Sequence, residues 1–210
     1  MTCLSEETPA DGPQMIHLDE LPEPPESIKH WIDAGGLKIS FGGRQPSNAG
    51  MMAETTYRMV HRYRSNPRWT VRQTTSNRIC QIRLRFRSVQ LKTTHEIWFL
   101  ERPDSDGFWK NPLVLHELDH LRLSADPRLA VRFQELVRQE TLIERSVDDD
   151  ESVTARWVQN QVDQYVQNQF AKVSDLASIR YRELDRLTAH GRRKIPEDSE
   201  IAKALKEIAP

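Results

Sequence analysis

The hydrophobic period of this chain changes once, near Asn111, and that change limits the folds open to it. Before it, Ala53, Thr55, Tyr57, Met59, His61 and Tyr63 alternate with mostly polar neighbours, and Cys80, Ile82, Leu84 and Phe86 alternate with Gln81, Arg83, Arg85 and Arg87. A period of two sends successive side chains to opposite faces of an extended chain, so both stretches predict strands. Asn66-Pro67 ends the first as a turn, Trp69 and Val71 begin another alternation, and Glu96 to Leu100, stopped by Pro103 and Gly107, predicts a further short strand. Beyond Asn111 the period is helical. Asn111-Pro112 joins a capping side chain to a proline whose missing N–H costs nothing in a first turn, and predicts a helix over about residues 112–123. Asp126-Pro127 repeats that signal, with Leu129, Phe133, Leu136, Val137 and Leu142 at helical spacing to about Ser146. From Ser152 to His190, Trp157, Val162, Tyr165, Val166, Phe170, Val173, Leu176, Leu184 and Leu187 keep the spacing without Pro or Gly, and Gly191 is placed as a C-terminal cap. The expected fold class is α+β, a small antiparallel sheet followed by long helices that cover it.

Residues 28–191 are expected to form one domain, which the 210-residue length and 37% hydrophobic content can support. Residues 1–27, with Pro9, Pro13, Pro22, Pro24 and Pro25 among acidic residues, are expected to be a flexible leader, and residues 192–210, charged and containing Pro196, a weakly attached tail. Lys plus Arg total 30 against 31 for Asp plus Glu, so the net charge of −1 gives no whole-molecule field that would draw in nucleic acid or an anionic membrane. Arg58, Arg62 and Arg64, then Arg83, Arg85 and Arg87, are read as solvated sheet faces with no aromatic platform beside them, and no nucleic-acid partner is expected. No run approaches the roughly 18 apolar residues of a membrane span, and the first 30 residues lack the charged-then-apolar pattern of a signal peptide. Cys3 and Cys80 are too few for a disulfide scaffold or a cysteine zinc site.

The sharpest motif is His116-Glu117-Leu118-Asp119-His120, an HExxH string inside the helix that Asn111 and Pro112 start. Residues four apart share a helix face, so both imidazoles can reach one ion, zinc being the usual occupant, while Glu117 is offset toward a water beside it. An ion with an open position lowers the pKa of water toward about 7, and a neighbouring carboxylate takes the proton, which makes Glu117 the candidate base. The string can also arise in a helix whose His and Glu side chains only cap and solvate it. A metal site needs a third ligand, and two residues compete for it. Asp126 stands six residues after His120, where metzincins place theirs beyond a glycine turn, but Leu123 occupies the glycine position and the N-cap before Pro127 accounts for Asp126 by itself. His190 closes the long helix before Gly191, with Asp185 and Thr188 near it as supporting partners. His61 and His95 lie in or beside strands and are left out as ligands.

The alternating segment, the Trp69-x-Val71 strand, the strand centred on Cys80, the HExxH helix and a distant Thr188-Ala189-His190-Gly191 together resemble an uncharacterised bacterial family of predicted secreted zinc-dependent proteases. The resemblance spans roughly residues 50–191; HExxH is generic, and its combination with Thr-x-His-Gly is more specific. It implies a zincin-like fold, zinc bound by His116, His120 and His190, hydrolysis of a peptide or protein substrate, and export. The family carries Tyr-Asp four residues before the threonine, where this chain has Leu184-Asp185, so the aspartate carries over and the tyrosine does not. The expected activity is therefore that of a zinc metallopeptidase with Glu117 as base. The alternative is a non-enzymatic binding or scaffold protein in which HExxH is degenerate and the long helix offers a helix-to-helix interface.

Overall fold

The protein is described here from a computed structural model that covers residues 12–33, 36–43, 50–74 and 77–208. In chain order its elements are β1 (Gln14–Ile16), α1 (Glu26–Asp33), β2 (Leu37–Phe41), β3 (Ala53–Ser65), β4 (Arg68–Gln73), β5 (Arg78–Arg83), β6 (Phe86–Phe99), α2 (Pro112–Ala125), α3 (Pro127–Gln139), β7 (Leu142–Val147), α4 (Ala155–Thr188) and α5 (Glu200–Ile208). The class is α+β, with small sheets and C-terminal helices. Among the described residues no helix is long and apolar enough to cross a membrane.

The strands form two sheets, one ordered β1-β2-β6-β3 and one ordered β4-β5-β7. The second is wholly antiparallel, whereas in the first β2 runs parallel to β6, with Ile39 opposite Ile97 and Phe41 opposite Phe99. The chain divides into two compact units: unit 1 comprises Met1–Arg58, Thr93–Ala125 and Tyr181–Pro210, and unit 2 comprises Met59–Lys92 and Asp126–Arg180. In unit 1, Ile16, Ile39, Ile97, Phe99, Phe108, Val114, Leu118 and Leu121 belong to one core cluster, so the inner faces of β2 and β6 pack on α2. Apolar burial of this kind contributes about 25 cal/mol per Å² removed from water. A second cluster joins Leu123 of α2 to Leu184 of α4 and to Ile201, Leu205 and Ile208 of α5. In unit 2, Tyr165 donates its hydroxyl to the carbonyls of Leu136 and Val137, and the rings of His61, Phe133 and Phe170 lie against one another.

Local capping behaves as the sequence implies. Asn111 Oδ1 accepts from Leu113 N at 2.9 Å at the start of α2, and Asp126 caps α3 through Arg128 N at 2.9 Å. Other expectations need correction. The helix expected to reach Ser146 stops at Gln139: Glu140 is extended, and Leu142–Val147 pairs with β5 instead. Part of the expected leader is built into unit 1, where Ile16 and Leu21 are core residues; residues 1–11 lie outside the described residues. The expected tail carries α5, whose apolar residues recur at helical spacing and are buried. Arg83, Arg85 and Arg87 do not line one strand: Arg83 ends β5, Arg85 lies in the connection, and Arg87 belongs to β6.

Candidate metal centre

Helix α2 carries the HExxH residues into the interior of unit 1. His116, Glu117 and His120 are all buried, beside Val114, Leu118 and Leu121 on the same helix. The last turns of α4 supply the facing group. Tyr181 and Asp185 are four residues apart and so share a helix face, and that face meets the two imidazoles. Asp185 Oδ1 lies 3.3 Å from His116 Nε2 and 3.0 Å from His120 Nε2. The donor atoms of His116, His120 and Asp185 all lie within 4.8 Å of one another.

This set could hold a metal ion, zinc among them. Two imidazole nitrogens and a carboxylate oxygen are zinc donors, and bonds of about 2.0–2.1 Å in tetrahedral array put neighbouring donors about 3.3–3.4 Å apart. The two Nε2–Oδ1 distances lie close to that edge. Burial works to raise the Asp185 carboxyl, but hydrogen bonds from both histidines overcome it and hold the group well below the usual carboxylate range. Burial pushes Glu117 above its ordinary value, against the pull of His120 and of the hydrogen bond from Thr55. The Thr55 hydroxyl donates to Glu117 Oε2 at 2.7 Å and stands 3.1 Å from the Glu117 carbonyl. Among the described residues, His120 Nδ1 is buried with no hydrogen-bond partner. All of these groups line a cavity of about 500 Å³ that also takes in Met51, Met52, Leu113, Tyr181 and Arg192.

His190, expected as the third ligand, is not among the three converging donors. Its side chain is 61% exposed and its Nδ1 lies 3.4 Å from Asp185 Oδ1, at the wall of the same cavity. Helix α4 ends at Thr188, and Ala189, His190 and Gly191 all take left-handed backbone angles, which carries the His190 side chain off the helix face. Gly191 is required in this turn twice over: its φ is +79°, and a Cβ there would stand 2.9 Å from Cγ of His116. The turn therefore backs the His116 ring. Asp126, the other candidate, is taken up by the N-cap of α3 and by ion pairs with Arg128 and Arg180 at 2.9 and 2.8 Å.

Thr55, Tyr181 and Ser124 escaped the sequence reading, and His95 was set aside as a ligand. Thr55 was visible only as one position in an alternating strand. Tyr181, whose ring lies 4.4 Å from that of His120, is held by Ser124, with 2.8 Å between their oxygens. Behind Ser124 stands His95, its Nε2 2.8 Å from Ser124 Oγ and its pKa pushed down to about 4 by burial. Leu184, at the position of the family's tyrosine, is a core residue and does not reach the cavity wall. No family model matches the chain, and no curated protein or solved structure matches it.

Proposed function

We propose that this protein is a zinc-dependent hydrolase with a zincin-like active site, acting on a peptide bond, in which His116, His120 and Asp185 hold the ion and Glu117 is the general base. The observation that carries the reading is the convergence of two buried imidazoles and a carboxylate beside a buried glutamate, at the wall of an open cavity. A bound divalent ion would supply Lewis acidity toward a substrate carbonyl and acidity to water. Amide hydrolysis adds the oxygen of water to the carbonyl carbon and breaks the C–N bond; one proton leaves the water and one reaches the departing nitrogen. Glu117 suits both transfers, because Thr55 holds Oε2 and leaves Oε1 to exchange the proton. The bacterial zinc-dependent proteases that the chain resembles share the HExxH and Thr-x-His-Gly elements. Two features support that likeness: Gly191 packs on the first histidine of HExxH, and Asp185 faces both.

The scaffold alternative draws less support. Val158, Val162, Tyr165, Val166, Val173, Ala177 and Leu184 of α4 are buried within the chain, which consumes the stripe a partner helix would need. The test is metal content on protein purified without added metal, with Glu117→Gln and a peptide library in parallel. We expect about one zinc per chain, peptide cleavage that a chelator abolishes, and metal retained but cleavage lost in Glu117→Gln. Cleavage unchanged in that variant, or no metal taken up when zinc is supplied, rejects the proposal.

A further inference from the structure

Unit 2 leaves a sheet edge open. Strand β4 ends the β4-β5-β7 order, every one of its residues is exposed, and among the described residues no strand pairs with its outer side. Its register with β5 runs residue for residue from Arg68 opposite Arg83 to Gln73 opposite Arg78, so no bulge twists the edge away, and no proline lies within it. The two faces of this edge differ. Residues directly opposite each other share a face, so Trp69 and Val71 lie with Ile82 and Cys80, and beyond them with Ile143 and Arg145 of β7. That face is covered: Cys80 and Ile82 are fully buried, and Arg145 Nε donates to Gln161 of α4 at 3.1 Å. The cover stops short of β4, where Trp69 and Val71 are 39% and 42% exposed. The opposite face carries Arg68, Thr70 and Arg72, facing Arg83, Gln81 and Ile79. Arg68, Arg72, Arg83 and Arg85 line a groove of about 400 Å³, and among the described residues their guanidinium groups form no ion pair or hydrogen bond. Glu144, on the arginine face of β7, accepts from Gln81 Nε2 at 2.6 Å and stands opposite Gln81 and not opposite an arginine.

From this we infer that β4 is a docking edge for an extended acidic segment of a partner protein. The segment adds to the sheet as a further strand, with acidic side chains on the arginine face and apolar side chains beside Trp69 and Val71. Three features select that occupant. The unpaired N–H and C=O groups of an edge recur in step with those of an extended peptide, a ladder that neither a nucleic acid nor a free anion presents. Side chains alternate along a strand, so the arginines match carboxylates on every second residue of the added segment. Trp69 and Val71 match apolar residues at the positions between, which would cover them from the side. A second copy of the chain fits poorly. Two β4 edges paired antiparallel over most of their length, with apolar faces matched, set Arg68 opposite Arg72, and like charges directly opposite destabilise a pair. Shielding explains less of the pattern: charge on an edge strand discourages aggregation, but Arg83 stands one strand in and faces Arg68, an opposition that shielding does not need.

The test uses the full chain and fluorescence anisotropy with a labelled peptide of alternating glutamate and valine, about eight residues long so as to span the strand. The comparison probes are the same residues arranged in two blocks, a polyglutamate of matched length and an oligothymidylate. We expect the alternating peptide to bind at about 10 mM ionic strength, where charges are little screened, and each comparison probe to bind at least about tenfold more weakly. Two N-methylated forms read the backbone. Successive residues of a strand turn their N–H groups to opposite edges, so methylating the glutamate amides and methylating the valine amides should differ, one abolishing binding and the other sparing it. Arg68→Gln and Arg72→Gln should each weaken binding by about two- to fivefold, a loss that shrinks as salt is raised. Trp69→Ala should weaken it by a similar factor that salt leaves unchanged. Circular dichroism on each variant checks folding, which these exposed positions should leave intact. No binding at low ionic strength, equal binding of any comparison probe, or both methylated forms bound alike overturns the inference. Self-association of the chain that the alternating peptide does not dissociate assigns the edge to a second copy and overturns it as well. None of these outcomes depends on zinc or on hydrolysis.

Discussion

In unit 1, Glu117 and Asp185 are carboxylates held under cover, and each has partners within hydrogen-bond reach: Thr55 for one, His116 and His120 for the other. In unit 2, Arg68, Arg72, Arg83 and Arg85 stand in solvent, with no carboxylate paired to them among the described residues. The difference is one of dielectric. A buried charge is expensive unless it is partnered, so each group near α2 is fixed by others and acts as part of a set. An exposed charge is stabilised by water, so the arginines can stand near one another at small cost and act almost independently. Substitutions at the cavity should therefore have large, mutually dependent effects. Those at the arginine groove should be small, additive and sensitive to salt.

The largest expected effect falls on metal retention. Asp185→Ala removes the carboxylate that faces both Nε2 atoms, and zinc affinity should fall by at least about 100-fold. His190→Ala should keep zinc within about tenfold, since an exposed supporting group contributes less. Chelator competition on the two purified variants reads this directly; the reverse ranking would restore the three-histidine site that the sequence suggests.

A pH titration sharpens the same contrast without touching the ligands. His95 is 8% exposed, and burial lowers its pKa from 6.5 to about 4. A lowered histidine pKa means that the unfolded chain takes up the proton first. The contribution is thus fully present above about pH 6.5 and is lost as pH falls toward 4, by up to about 3 kcal/mol. Denaturant unfolding of wild type and His95→Gln across that range should show the slope in the first and a flatter profile in the second. Gly191→Ala comes next: a left-handed φ and a Cβ 2.9 Å from the His116 ring should together cost about 2–3 kcal/mol and weaken zinc binding at once. Unchanged thermal stability in that variant would show that the turn at 189–191 can relax away from His116.

How much of this was readable beforehand follows from where each signal resides. Helix α2 and its HExxH were legible because Asn111, Pro112 and the apolar spacing are all local, and α3 began where Asp126-Pro127 said it would. Strand β7 was not, because Leu142 fits the helical spacing of Leu129, Phe133 and Leu136, and only pairing with β5 makes residues 142–147 extended. The apolar positions of α5 were present at the right spacing, Ile201, Leu205 and Ile208, but a nine-residue helix needs tertiary burial to exist and charge composition hid it. Asp185 was visible only as a supporting partner of His190; its place beside both imidazoles depends on the packing of α4 on α2, and the position of His190 on three left-handed residues after Thr188, which no spacing rule reports.

The smallest expected effect is also the one that most directly probes the groove as a compromise between stability and binding. Arg83 faces Arg68 across the β4-β5 pair, so Arg83→Gln removes a like-charge opposition while leaving the backbone ladder intact. If the facing pair is kept for a ligand, this substitution should raise stability by about 0.2–1 kcal/mol at low salt, and the gain should shrink as salt screens the repulsion. Urea denaturation at two ionic strengths measures it. A loss of stability would mean that Arg83 is held by its neighbours in the fold, and the groove would then be a packed structural face in which arginine stems cover the sheet. A gain that vanishes with salt, in a chain whose cavity substitutions are destabilising under all conditions, would separate the two regions by the physics that each obeys.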